Sequence, residues 1–457
     1  MTAACSSGRC STTSLRRKCK ARCRSSFSRS SRTSTMTRTE LTPSTWRTLF
    51  SKFQHRSYSP KLLISLTRYS SSQRKMHCDT ECLLVDCGSR SCMSTAQPLF
   101  DNVKKECAKY PIKQALITHF HEDHINGFMY ITDANKTNHI KFSRVYIPYI
   151  FTAGQHWNLI DYKLIEHYLS QKMTGRSKNF SLLDLLKRMV GTKSRITILE
   201  RGSHFSSCNS VNDVLWPKPQ NLVNLGFGRD IKKYFPKKFR KRVFAISNKI
   251  CKLYRKAADS EQYDAILVAI ENIEKQISAL INYDFEHNRD SDEFKAFYKR
   301  LKNRLRIDDN NTSIVFQTNI DRNYLFTGDI GKNYLKDIVT NAYQDGINIH
   351  NSFFAVKAPH HGTLTHYLPE LFDAKSSSIS KKIVFISNGK AKSTGIVYEE
   401  YPKNANKKKY KLICTNRDSL KCKNVNTPGN KNRIICSNGK CPLKNRKAFN
   451  RPFFVIK

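Results

Sequence analysis

An α/β fold is predicted for this chain from two observations: short apolar runs closed by turn residues, and the alternation of those runs with helical stretches. Cys82-Leu-Leu-Val-Asp86 reads as a buried strand ended by Cys87-Gly88-Ser89. A helix is expected over residues 101–109 and a second strand at Gln114-Ala-Leu-Ile-Thr118. Val145-Tyr-Ile-Pro148, Ile196-Thr-Ile-Leu199 and Asp213-Val-Leu-Trp-Pro217 are further strands. From 226 to 306 the pattern becomes long-period and basic at both ends. The run that starts at Ala265-Ile-Leu-Val places apolar residues three and four apart, which predicts an amphipathic helix. Strands resume at Ser313-Ile-Val-Phe-Gln317 and Asn323-Tyr-Leu-Phe-Thr327, so the helical stretch is expected to be an insertion within the α/β domain.

The 457 residues allow one large domain with insertions, or two domains. Eighty Lys and Arg against thirty-six Asp and Glu give a formal charge of +44, a field that attracts polyanions. Nucleic acid is the first partner to consider, although an anionic membrane surface or a solubility bias fits charge alone. Fifteen cysteines make an odd number, outside any dense disulfide framework. No run of about 18 apolar residues appears, and the start of the chain shows no signal-peptide h-region. The expectation is a soluble cytoplasmic protein in a reducing compartment. Residues 1–78 form a low-complexity basic segment with Glu40 as its only acidic residue up to position 75, and with Cys5, Cys10, Cys19 and Cys23 among basic residues. Such a segment cannot bury enough apolar surface to offset its ordering entropy. It reads as an organellar transit peptide, a basic arm for nucleic acid, or sequence ahead of the true start at Met76, with preference for the last. Residues 416–457 form a Cys- and Lys-rich extension. Cys414, Cys422, Cys436 and Cys441 are spaced more widely than the close pairs of a structural zinc motif, which favours reduced, unpaired thiols.

Chemistry concentrates in Ala115-Leu-Ile-Thr-His119-Phe-His121-Glu-Asp123-His124-Ile-Asn-Gly127. A buried strand delivers His119 to the sheet edge, and the following loop presents His121, Asp123 and His124. His119 and His121 suit one ion, Asp123 and His124 a second beside it, because imidazole and carboxylate are what zinc and related divalent ions accept. Asp329, after an apolar strand and Gly328, reads by itself equally as a metal carboxylate or a solvated turn residue. His360 and His361 end Phe353-Phe-Ala-Val356, and alternation leaves open which of them turns toward a site. Asp86 by itself reads as a turn residue.

Taken together, these pieces resemble the metallo-β-lactamase superfamily. The first run matches its HxHxDH signature. Leu83-Leu-Val-Asp86-Cys-Gly88 resembles its early strand with a structural Asp, and Leu325-Phe-Thr-Gly328-Asp329 its later strand with a metal-bridging Asp. Lys357-Ala-Pro-His360-His361-Gly362 and Asn310-Asn-Thr-Ser313-Ile-Val resemble the branch named for the hydrolase domain of the DNA-uptake protein ComEC. The resemblance implies a four-layer αββα sandwich over residues 79–415, with the helical insertion at 226–306. It further implies two divalent ions, zinc or manganese. His119 and His121 would hold the first and Asp123, His124 and one of His360 or His361 the second, with Asp329 bridging. Asp123 and Asp329 would be the catalytic carboxylates, Lys357 and Asn388 substrate contacts. Three features depart from the pattern. No middle segment matches the element that supplies one more His to the first metal; His204 is nearest in order and reads better as a surface residue. Asn388-Gly389 stands without the following His-Pro. Nothing between Ser57 and Asp79 resembles the strand that normally pairs with the Leu83 strand, which would leave a bare sheet edge.

The function expected is metal-dependent hydrolysis of a phosphodiester in DNA through a binuclear metal-activated water. Charge and aromatics interleave in Lys232-Lys-Tyr-Phe-Pro-Lys-Lys-Phe-Arg-Lys-Arg242, which suits phosphate neutralisation with base stacking, or equally a solvated basic face. The alternatives are a hydrolase of a lactone, lactam or thioester, and a non-catalytic nucleic-acid binder on the same fold.

Overall fold

The computed structural model describes most of residues 81–414 and a short strand at 434–436, all within the compact unit His55–Lys457. The segment 1–78, Asn388, Cys422 and Cys441 lie outside the described residues.

Four short apolar runs form one parallel sheet in the order β1-β2-β3-β4: β1 (Glu81–Val85), β2 (Ile112–Leu116), β3 (Arg144–Pro148) and β4 (Arg195–Leu199). Near-continuous burial along β1 and β3 explains why they read as unbroken apolar runs rather than alternating ones. Helices α1 (Met93–Cys107), α2 (Glu122–Ile131), α3 (Leu159–Thr174) and α4 (Ser181–Gly191) lie between these strands in sequence. Among the described residues β1 ends this sheet; the stretch from Ser57 to Asp79, where the sequence shows no outer strand, lies outside them.

The second sheet holds β5 (His204–Ser207), β6 (Ser210–Trp216), β7 (Val315–Thr318), β8 (Tyr324–Phe326), β9 (Ser352–Lys357), β10 (Ser380–Ile386), β11 (Lys411–Cys414) and β12 (Ile434–Cys436). They neighbour one another in sequence order, antiparallel from β5 to β8 and parallel from β8 to β12. Four helices separate β6 from its antiparallel partner β7: α5 (Gly228–Tyr234), α6 (Lys237–Asp259), α7 (Tyr263–Ile281) and α8 (Asp292–Asn311). The last runs five residues past the 306 read from the sequence. Helices α9 (Lys332–Asn341), α10 (Pro369–Phe372) and α11 (Glu400–Asn406) accompany the second sheet. No described helix is long and apolar enough to cross a membrane.

Three apolar clusters follow from strand alternation. Leu83, Val85, Leu116 and Tyr146 share one with Phe316, Phe326 and Phe385, between the two sheets. Their neighbours Cys82, Leu84, Ala115 and Val145 face the other way, into α1–α8. On the second sheet Leu325, Val356 and Val384 pack with residues of α9, α10 and α11. In α7 the buried residues are Ile266, Ile270, Ile273, Ile277 and Leu280, the predicted three-and-four stripe. The insertion thus enlarges the core on the outer face of the first sheet. Phe235 and Phe239 belong to that core, stacked at 5.0 Å between centroids, so they are not available to nucleic-acid bases. The aromatic half of the base-stacking expectation fails for these two residues because their burial stabilises the helical layer.

α3 starts with a capping box: Asn158 accepts from the backbone N–H groups of Ile160 and Asp161, and the Asp161 side chain accepts from Asn158 N at 2.7 Å. Burial raises the Asp161 carboxyl to about 7, opposed by hydrogen bonds from Asn158 and Ser247. A folded-state value above the unfolded one means that the folded chain binds the extra proton. The stability this contributes is present below the ordinary carboxylate range and is lost as pH rises through about 7. Asp161→Asn, which cannot ionise, is therefore expected to gain melting temperature over the parent chain as pH is raised from about 5 to about 8. Parallel melting curves across that range would show that Asp161 does not carry this penalty.

Candidate metal centre

β2 continues through Ile117 and Thr118 and delivers His119 at 0% exposure, on the edge that faces β7. Ile314 N, just ahead of β7, donates to Thr118 O at 2.9 Å, which ties the two sheets together at this point. His121 is the N-cap of α2, and Glu122 and Asp123 occupy its first turn, where the helix dipole favours negative charge.

Asp86 locks this turn. Its Oδ1 accepts from Thr118 N at 2.8 Å, and its Oδ2 faces Thr118 Oγ1 at 2.8 Å and His124 Nδ1 at 2.7 Å. Asp86 itself sits at φ 53°, a left-handed conformation that costs a non-glycine residue energy and is held by its surroundings. Two residues on, a Cβ on Gly88 would lie 2.3 Å from the backbone carbon of Asp123, so only glycine lets the β1 turn approach α2 this closely. Sequence reasoning saw Asp86 as a turn or structural residue; the structure places it as the hydrogen-bond partner of a site histidine.

A carboxylate beside Nδ1 fixes the tautomer of His124, since a neutral imidazole has one N–H to give. Its lone pair is then on Nε2, 3.0 Å from Asp329 Oδ2. Two electron-rich atoms facing each other at that distance suit a shared cation. Asp329 arrives after β8 through Gly328 at φ 52°, and its backbone N–H donates to Ser313 Oγ at 3.0 Å. Ser313 Oγ is also 3.3 Å from His119 Nδ1, whose other hydroxyl neighbour is Thr118 Oγ1 at 3.1 Å.

Beyond β9 the chain turns through His360 at φ 51° and Gly362 at φ 69°. His360 Nε2 is 3.8 Å from Asp329 Oδ2. His361 Nδ1 lies 2.9 Å from Ser387 O; a carbonyl only accepts, so this nitrogen carries the proton and Nε2 is left as the ligand atom. Lys357 is buried, with Nζ donating to Gly328 O at 2.8 Å and Ala358 O at 3.1 Å, and 3.6 Å from Asp329 Oδ1. There it balances the Asp329 charge and anchors the loop that carries both histidines.

Ligand atoms of His119, His124 and Asp329 lie within 4.8 Å of one another, and so do those of Asp329, His360 and His361. The structure thus brings five of the seven sequence-derived candidates into two groups around one carboxylate. His121 Nδ1 touches His119 Nε2 at 2.9 Å, but its Nε2 turns the other way, toward Asp309 Oδ2 at 3.5 Å. Asp123 is buried in the first turn of α2. Burial lowers the His121 ring to about 4, against the pull of Asp309 and Asp123, which keeps it neutral and able to ligate at neutral pH. The donor set of imidazoles and carboxylates fits a divalent ion of the zinc or manganese type. His204 is 64% exposed and pairs with Asp213 at 2.8 Å on β5 and β6, as a surface histidine would.

Three residues near the site escape the sequence reading. Asp309 lies at the end of α8 beside His121, and Lys163 of α3 pairs with it at 2.5 Å. His366 stacks on His360 with ring centroids 4.5 Å apart, its Nδ1 near the hydroxyls of Thr363 and Thr365. Burial holds the His366 pKa below its ordinary value, with Asp329 pulling it back up. The one available signal was for Asp309, which directly precedes the Asn310–Ser313 run.

Residues 79–163 match the family model of the metallo-beta-lactamase superfamily. That span covers β1 to the start of α3, with Asp86 and the whole His119–His124 turn, and it points to a metal-dependent hydrolase. None of the curated proteins or solved structures compared matches the chain.

If Asp86 orients His124 as described, Asp86→Ala should weaken zinc or manganese binding about 10- to 100-fold, the usual effect of losing such a partner. Titration against a chromophoric chelator measures this. Unchanged affinity in a folded Asp86→Ala chain would contradict the role.

Proposed function

We propose that this chain is a metal-dependent phosphodiesterase acting on DNA, with two divalent ions, zinc or manganese, in the site around Asp329. The observation that carries the reading is that one buried carboxylate is shared by two histidine pairs, His119 with His124 and His360 with His361. On this reading Asp329 would be shared, and His119 with His124 would hold one ion and His360 with His361 the other. This takes the place of the grouping of His119 with His121 and of His124 with Asp123 expected from sequence, and His121 and Asp123 would add donors from the same turn. When bound, such ions supply Lewis acidity and bring the pKa of a water molecule toward neutrality.

The chain's own residues do the rest. Asp86 and Ser387 O hold His124 and His361 in the tautomer that leaves Nε2 unprotonated. Lys357 offsets the charge of Asp329 and holds the His360–His361 turn in place. Asp123 and Asp329 would serve catalysis as the carboxylates that hold the ions. Substrate contact by Asn388 belongs to the same reading, whereas the substrate contact expected of Lys357 gives way to its buried bonds with Gly328 O and Ala358 O. The three apolar clusters support the four-layer αββα arrangement, and the order of the motifs supports the ComEC-like branch.

For substrate, the support is charge. Lys237, Lys238, Lys241 and Arg242 of α6 are exposed, as are Lys299 and Lys302 of α8. Such faces neutralise phosphates without reading sequence. With Phe235 and Phe239 in the core, this surface works through backbone charge rather than stacking.

Metal-loaded protein should cut labelled DNA, and binding should weaken steeply as salt rises, because each neutralised phosphate releases counterion. Asp329→Ala should abolish cleavage and keep most of the binding. Hydrolysis of a lactone or lactam alone would replace this reading with a small-molecule hydrolase. Salt-sensitive binding without any turnover would leave a non-catalytic binder.

A further inference from the structure

No middle segment of the sequence matches the element that supplies one more histidine to the first-metal side, and the end of α8 brings a carboxylate beside His121. α8 ends in Asp308, Asp309 and Asn310, all buried, with no basic residue in its last turn. Negative charge at a helix C-terminus opposes the helix dipole, and burial adds a desolvation cost. Something must offset that placement. Lys163 does so for one atom only: its Nζ meets Asp309 Oδ2 at 2.5 Å. The other atom, Asp309 Oδ1, is buried with no hydrogen-bond partner, in a side chain that is only 5% exposed. On the facing residue, His121 Nε2 is likewise buried with no hydrogen-bond partner, 3.5 Å from Asp309 Oδ2. Two neighbouring side chains, His121 through Nε2 and Asp309 through Oδ1, thus each keep a buried ligand atom short of a partner, next to His119.

The surrounding chain holds Asp309 there. Four residues on, Ser313 contacts both His119 Nδ1 and the Asp329 backbone N–H, and Ile314 N donates to Thr118 O. Between them, Thr312 Oγ1 donates back to Asp309 O at 2.7 Å, and Asn311 Oδ1 accepts from Gly331 N at 3.2 Å. The helical insertion therefore ends by feeding a carboxylate to the His119–His121 turn.

We propose that Asp309 is a metal ligand on the His119–His121 side of the site, taking the place of a middle-segment histidine. This rests on the metal-site reading given above and extends it to a residue of the insertion. A plain ion pair linking α3 to α8 would also place Asp309 beside Lys163, so the two roles must be separated. In the ion-pair role Lys163 and Asp309 are equivalent partners; in the ligand role only Asp309 touches metal.

Metal content and affinity of the full chain, measured by elemental analysis and chelator competition, separate them. The parent chain should carry two equivalents. Asp309→Asn and Asp309→Ala should lose one of them, or bind it at least about a hundredfold more weakly, while Asp309→His restores it. Lys163→Met should keep both ions. A cobalt-substituted parent should also lose the visible absorption of one ion in Asp309→Asn. Two ions held by Asp309→Asn with parental affinity would overturn the assignment and leave the metal-site reading intact. Equal metal loss in Lys163→Met and Asp309→Asn would reduce Asp309 to an ion-pair partner. A parent chain that binds no metal would remove both readings together.

Discussion

The carboxylate of Asp86 is the constraint on which the site depends. It closes β1 against the end of β2 through Thr118 N and Oγ1, and it sets the ring of His124 through Nδ1. Those contacts require Asp86 in a left-handed conformation and Gly88 packed onto the backbone of Asp123 and His124. Each of these is unfavourable or restrictive alone, and together they fix the first turn of α2 relative to the strand ends. With the turn fixed, His119 and His124 meet Asp329 from the other sheet. The two sheets share an apolar core, so their relative position is set by packing that has nothing to do with the site. Packing brings the strand ends together; Asp86 turns that proximity into an ordered set of ligand atoms.

Charge is divided sharply within the chain. A formal +44 overall coexists with Asp86, Asp123, Asp309 and Asp329, all buried around a few histidines. A cluster of buried carboxylates is expensive unless cations or donors satisfy it. Lys163 and Lys357 meet part of that requirement from within the protein. Buried atoms of His121 and Asp309 remain without a hydrogen-bond partner, and imidazole and carboxylate are donor types that a divalent cation accepts. Exposed lysines and arginines of α6 and α8 lie on the surface, apart from this buried set.

How much was legible in the sequence depended on the physical signal each element carries. Short apolar runs closed by turn residues made β1 to β4 and β6 to β9 readable directly. β5 at the sheet edge exposes alternate residues and is four residues long, too little pattern to detect. β11 and β12 lie in Lys- and Asn-rich surroundings, and α3 mixes Tyr, Lys and His around its circumference, which blurs any stripe. Within the site, the dense His119–His124 turn announced itself because several ligand-type residues fall in one short loop. Asp329, His360 and His361 needed the order of pieces to stand out. Asp309 was hidden for a physical reason: an Asp near a helix end, among Lys and Arg, reads as a solvated charge. Only the packing of α8 against α3 and the His turn reveals that it is buried. His366 was hidden because a lone His carries no pattern. The interleaved aromatics of the 232–242 stretch misled in the opposite direction, since helical spacing buries Phe235 and Phe239 while exposing the lysines between them.

The central claim is that metal sits on Asp329 between two histidine pairs, and anomalous diffraction tests it most directly. Crystals of the full chain grown with zinc or manganese, with data collected on either side of the metal's absorption edge, locate the ions without any assumption about activity. The account predicts anomalous peaks within bonding distance of the Asp329 carboxylate, one toward His119 and His124 and one toward His360 and His361. A map with no peak at Asp329, or with metal bound only elsewhere on the chain, would contradict it.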